Sequence, residues 1–210
     1  MQTTFPRLLL KHASERPAAP AMREKEYGIW QTTSWADMAQ MVEHMACGLH
    51  QAGLTRGEHL VVIGSNRPRL YATMLAAQSL GAIPIPLYQD AAGPECVFPL
   101  NNAEVRFAVV EDQEQVDKLL EIREQCPQIA HIFFDDPRGL RKYDEPGLAS
   151  LEELLAAEPE IFGAGAKKRA WLLGVTPEIA TARWPQEIEL VAVERVQAMI
   201  DGVWPGDTDR

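Results

Sequence analysis

The sequence predicts an α/β protein: a partial, mostly parallel sheet with flanking helices, followed by a small βαβα tail. Two observations carry this. His59-Leu60-Val61-Val62-Ile63-Gly64, Val105-Arg106-Phe107-Ala108-Val109-Val110 and His131-Ile132-Phe133-Phe134 are short, nearly continuous apolar runs. Runs of that kind mark strands covered on both faces, as in a parallel sheet. The segments between them are long enough for helices, and an alternation of strand and helix implies right-handed crossovers.

Residues 4–16 read as a short helix closed at Arg16-Pro17, after which Pro17 and Pro20 hold an extended link. Tyr27-Gly28-Ile29-Trp30-Gln31-Thr32-Thr33 is β-rich and alternating, which fits a strand or hairpin. Ser34 is a helix N-cap, with Asp37 in the position of a capping-box acid. Beyond it Trp35, Met38, Val42, Met45, Leu49 and Ala52 recur at steps of three and four, one apolar helix face that ends at Gly53. The strand at His59–Gly64 leads through Asn66-Arg67-Pro68 into a second long helix that reaches Leu80 and closes at Gly81. Asn66 is a candidate cap for that helix. Ile83-Pro84-Ile85-Pro86-Leu87 is extended, and its prolines put it at a sheet edge. Pro94–Ala103 reads as a helix with a weak point at Pro99, and Asp112–Gln125 as an acidic helix after the second core strand. Asp135–Gly139 forms a turn after the third, and Ser150 caps a short helix over Leu151–Ala157.

Charge narrows the function. Lys+Arg number 20 against 30 Asp+Glu, a net charge of −10. Such an acidic chain is a poor candidate for non-specific nucleic-acid or anionic-membrane binding, and Lys167-Lys168-Arg169 is the longest basic run. Three cysteines (Cys47, Cys96, Cys126) cannot all pair and show no CxxC spacing, which fits a reducing compartment. No apolar run reaches the roughly 18–20 residues of a bilayer span, and the N-terminus lacks signal-peptide features. A cytoplasmic location is expected, with peripheral membrane contact left open.

Four blocks resemble a known family. Thr33-Ser34-Trp35 precedes the first long amphipathic helix. Gly53-Leu54-Thr55-Arg56-Gly57-Glu58 leads through the strand into Gly64-Ser65-Asn66-Arg67-Pro68. Ala76-Ala77-Gln78-Ser79-Leu80-Gly81-Ala82-Ile83-Pro84-Ile85-Pro86-Leu87-Tyr88 follows. Glu111–Leu119 and Asp136-Pro137-Arg138-Gly139-Leu140 complete the set. Together they resemble the start of AMP-forming acyl-CoA synthetases of the long-chain type, which are adenylate-forming ligases. The resemblance covers residues 1–157 and implies a partial AMP-binding domain. It also implies a parent reaction in which ATP activates a carboxylic acid to an acyl-adenylate and CoA then displaces AMP. ATP, Mg²⁺ and CoA are therefore the parent family's requirements.

The motifs such chemistry needs are absent from these residues. There is no Ser/Thr/Gly-rich loop ending in Pro-Lys-Gly, no Tyr-Gly-x-Thr-Glu and no GxxxxGK[ST]. Gly163-Ala164-Gly165-Ala166-Lys167-Lys168 lacks a hydroxyl and reads as part of a linker over 158–169. No catalytic residue is assigned, no cofactor is expected for the chain alone, and the chain is expected to be a truncated, non-catalytic member. An alternative is an interaction module whose exposed partial-domain surface pairs with a protein partner or with itself.

Residues 170–210 resemble the opening of a class I S-adenosylmethionine-dependent methyltransferase. Leu172-Leu173-Gly174-Val175-Thr176-Pro177-Glu178 stands where that family has its glycine turn, and Glu194 where it has its ribose-binding acid, about 20 residues on. The resemblance implies Gly174 and Glu194 as cofactor-binding residues, or else a solvated acid at a strand end. His44, Cys47 and His50 step by three along one helix and drift too far around it to converge on a metal, so no metal site is assigned and an exposed face is expected there. Trp30, Trp35 and Tyr88 are expected to pack in the core, with an acyl groove as the alternative.

Overall fold

The computed structural model describes residues 4–156. Its elements in chain order are α1 (Phe5–Glu15), β1 (Pro20–Glu26), β2 (Ile29–Ser34), α2 (Trp35–Gln51), β3 (His59–Ile63), α3 (Pro68–Ser79), β4 (Ile83–Leu87), α4 (Gly93–Asn102), β5 (Phe107–Val110), α5 (Gln113–Glu121), β6 (His131–Phe134), β7 (Leu148–Ser150) and α6 (Leu151–Leu155). The strands β4-β3-β5-β6-β7 form one five-stranded sheet whose paired neighbours are all parallel. β1 and β2 form a separate antiparallel hairpin.

The continuous apolar runs are explained by cover on both faces. Leu60 and Val62 of β3, Phe107 and Val109 of β5 and Phe133 of β6 enter a core built with α2, α3 and α6. Their alternate neighbours, Val61, Ile63, Ala108, Val110 and Ile132, enter a second core with α4 and α5. Successive strand residues point to opposite faces, so a strand buried on both sides has no polar positions left.

Strand order sets the functional geometry. β3 leads by α3, on one face, to β4 on one side. β4 then leads by α4, on the other face, to β5 on the opposite side of β3. The winding therefore reverses between β3 and β5, and in open α/β sheets a crevice forms outside the carboxyl ends of the strands at that point.

Several expectations change at this level. Tyr27 and Gly28 are the turn of the hairpin, both at positive φ (47° and 84°), and not strand residues. The segment from Pro20, expected as part of a link, is strand β1. α5 stops at Glu121, well short of Gln125, because the chain turns there so that Ile122 and Cys126 enter the second core. β7 was not expected; its three residues are too few to show a pattern. The N-cap of α3 is Arg67 and has no side-chain cap bond; Asn66 instead accepts a hydrogen bond from Tyr71 Oη at 3.0 Å. Cys47 is buried in the core and not on an exposed face, because α2 is covered by α1, α3 and α6 on several sides. Trp30 and Tyr88 are exposed and not core residues, lying on the hairpin and just past the edge strand β4.

Candidate functional site

A cleft of about 530 Å³ opens at the carboxyl ends of β3, β5 and β6, between them and the hairpin. Its rim comes from the residues that follow each strand: Arg67 and Arg69 after β3, Glu111 after β5, and Asp135, Asp136 and Arg138 after β6. Glu24 to Tyr27 of the hairpin complete it.

Glu111 is the organising group. Its Oε2 accepts from the Ser65 backbone N–H at 2.5 Å, and its Oε1 accepts from Ser65 Oγ at 2.8 Å and from Arg67 Nε at 3.1 Å. Burial alone would push this carboxyl upward. The Ser65 donors and the Arg67 guanidinium outweigh it and hold Glu111 below the usual carboxylate range. Gly64 makes the approach possible: a Cβ there would stand 2.7 Å from Glu111 Cβ and 2.5 Å from Leu70 Cδ1. Arg67 also reaches Glu24 of β1 through Nη1 at 3.3 Å, which ties the hairpin to the sheet.

Arg69 does the same for α6. Its Nη1 is shared between Asp135 Oδ1 at 3.0 Å and Glu152 Oε1 at 2.8 Å. Asp135 is pushed up from the usual aspartate range by burial, and Glu152, Glu111 and Glu24 add to that while Arg69 opposes it. Arg138 folds back onto Asp136, which lowers the Asp136 carboxyl.

Chemically, the three arginines of this rim are neutralised from within it. Arg67, Arg69 and Arg138 each already hold a carboxylate. A triphosphate needs free cations or a run of backbone N–H groups, and the Ser65 N–H is already committed to Glu111. Among the described residues, Lys25 on the same rim holds no carboxylate, and Nε and Nη2 of Arg69 are buried without a hydrogen-bond partner, so the ion pairs take up the arginines' carboxylate partners but not every cationic group of the cleft. Among the described residues, no three His, Cys, Asp or Glu side chains gather as metal ligands. Gly174 and Glu194, the residues that the methyltransferase resemblance implies, lie outside the described residues. Sequence reading missed Glu24, Arg67, Arg69, Glu111 and Asp135 as a group, since they come from four separate segments. The signal that marks two of them is positional: Glu111 and Asp135 are each the first acid past a core strand.

A doubly wound parallel sheet with its cleft at the winding reversal defines the open-sheet α/β class. Comparison with known proteins is more specific. The family model described as "AMP-binding enzyme" matches residues 9–165, and the chain belongs to that family. The long-chain-fatty-acid–CoA ligase ACSBG2 of Mus musculus is 26% identical over 117 residues, which is 56% of this chain and 18% of that protein. Indoleacetate–CoA ligase of Aromatoleum aromaticum is 34% identical over 137 residues, 64% of this chain and 26% of that one. The chain thus spans about a fifth to a quarter of the length of these ligases. Among solved structures, acetoacetyl-CoA synthetase from Streptomyces lividans matches with a TM-score of 0.65 at 20% identity, covering 74% of this chain and 25% of that one. Adenylate-forming ligases therefore share this fold. Among the described residues no helix is long and apolar enough to cross a membrane.

Proposed function

We propose that the chain is the N-terminal part of an adenylate-forming acid–thiol ligase unit related to long-chain fatty acid–CoA ligases, and that these 210 residues alone do not catalyse. In the parent reaction a carboxylate attacks the α-phosphate of ATP, releasing pyrophosphate and forming an acyl-adenylate. The CoA thiol then attacks the acyl carbon and AMP leaves. ATP, Mg²⁺ and CoA belong to that reaction.

The observation that carries the reading is a contrast. Residues 9–165 match the family, yet every arginine on the rim of the switch-point cleft is engaged by a carboxylate. The phosphate-binding loop motifs are also absent from the sequence. What these residues supply is a folded scaffold and not the groups that hold a triphosphate.

The test is pyrophosphate release by the purified 210-residue chain with ATP and Mg²⁺, using hexadecanoate and indoleacetate as acids. The expected result is no release above the acid-free blank. Acid-dependent release would overturn the reading.

A further inference from the structure

The hairpin carries an exposed face that the fold does not use. Lys25 pairs opposite Trp30 and Arg23 opposite Thr32, so these four side chains share one face. The other face is anchored: Met22 packs against the core and Glu24 meets Arg67. Trp30 is 65% exposed and Tyr27, in the adjoining turn, 84%, and Arg23 and Lys25 are exposed beside Trp30.

Tyr27 makes the case sharper. It sits at φ 47°, in the left-handed region. Asn, Asp or Gly adopt that region far more readily than a bulky aromatic, and an Asn-Gly turn is the common solution for a two-residue hairpin. A ring that is 84% exposed gains little from packing to offset that conformation. The residue is thus unfavourable for the turn and unused by the core.

We propose that this face is a contact for a lipid bilayer containing anionic headgroups. Trp30 and Tyr27 lie at the headgroup level, where aromatic rings with one polar edge partition, and Arg23 and Lys25 meet the anionic lipid. Arg138 is paired with Asp136, so the positive charge of the face is that of Arg23 and Lys25. Glu24 is neutralised by Arg67, and Glu26 projects with Ile29 on the opposite face. The chain's net charge of −10 opposes an anionic surface. At physiological salt, however, charges more than about 8 Å away are largely screened, whereas those in contact are not. The association is therefore short-ranged and needs both the aromatic and the basic residues, as weak anchors do. This inference does not depend on the ligase reading.

The test is flotation of the full chain with vesicles of phosphatidylcholine alone and of phosphatidylcholine mixed with phosphatidylglycerol. The expected result is several-fold more protein on the mixed vesicles. Trp30→Ser and Tyr27→Asn should each lower binding by roughly fivefold, and Arg23→Glu with Lys25→Glu should abolish the preference for the mixed vesicles. Tyr27→Asn should at the same time hold or raise the thermal midpoint, which separates a lipid contact from a structural role. No protein on the mixed vesicles, equal binding to both compositions, or unchanged binding by both aromatic variants would overturn the proposal. So would a vesicle-free oligomer that Trp30→Ser converts to monomer, since the face would then be a protein contact.

Discussion

Glu111 and Asp135 sit at the ends of adjacent strands and titrate in opposite senses, although both are mostly buried at 17% and 16% side-chain exposure. The folded chain holds Glu111 below the ordinary range, so its contribution to stability is present above the unfolded carboxylate pKa. That contribution is lost as pH falls through the lowered folded value. Glu111→Gln should cost roughly 1.5–3 kcal/mol near neutral pH, the usual range for hydrogen bonds to a charged group, and the deficit should shrink on acidification. The fold raises Asp135, so its ionisation weighs against the folded state above that raised value and the penalty disappears as pH falls through it. Asp135→Asn, which keeps an oxygen for Arg69, should therefore gain relative to the native chain as pH rises above the unfolded aspartate value of about 4. Urea midpoints check the two slopes, for Glu111→Gln below about pH 4.3 and for Asp135→Asn above about pH 4; slopes of the same sign would contradict the site's electrostatics. None of this was legible in the sequence, because Ser65, Arg67 and Glu111 are brought together by strand order and not by spacing.

At the scale of elements, α2 shows what sequence does specify. Ser34 Oγ accepts from the Asp37 backbone N–H at 3.2 Å, and Asp37 Oδ2 accepts in return from the Ser34 N–H at 3.1 Å. The two residues and the apolar steps after them are local, so start and buried face could both be read. Ser34→Ala should cost about 1 kcal/mol in a denaturation experiment. What the sequence could not reveal is which helix α2 meets. Gly48 lies so close to α6 that a Cβ would stand within contact-breaking distance of the Leu154 carbonyl oxygen. Because that obstacle is backbone, Gly48→Ala should displace α6 and cost roughly 1–3 kcal/mol. Hydrogen exchange at residues 151–155 should quicken more than in β3; equal effects would mean that α6 does not move alone. β1 and β7 escaped for a related reason. β1 begins at a proline beside another proline-bound link, and β7 is held by its partner strand and not by any pattern of its own.

For the whole described molecule, the question is how a five-stranded sheet ends. The Ile83 N–H points into the sheet, donating to Glu58 O at 2.8 Å. Backbone direction alternates along a strand, so Pro84 and Pro86 occupy the positions whose N–H groups would point outward, and proline has none to offer. At the opposite edge, the Leu148 N–H donates to Glu145 O at 3.1 Å, and the Ser150 N–H to Glu153 Oε1 at 3.0 Å. Both edges are thus short of free donors, and the prolines foreseen at a sheet edge are what blunts one of them. Replacing both Pro84 and Pro86 with Thr should restore two outward donors on a strand whose Ile83 is already exposed. Concentration-dependent association should follow, read by light scattering across a dilution series. A double variant whose mass stayed independent of concentration would show that the prolines serve the path of β4 and not the protection of its edge.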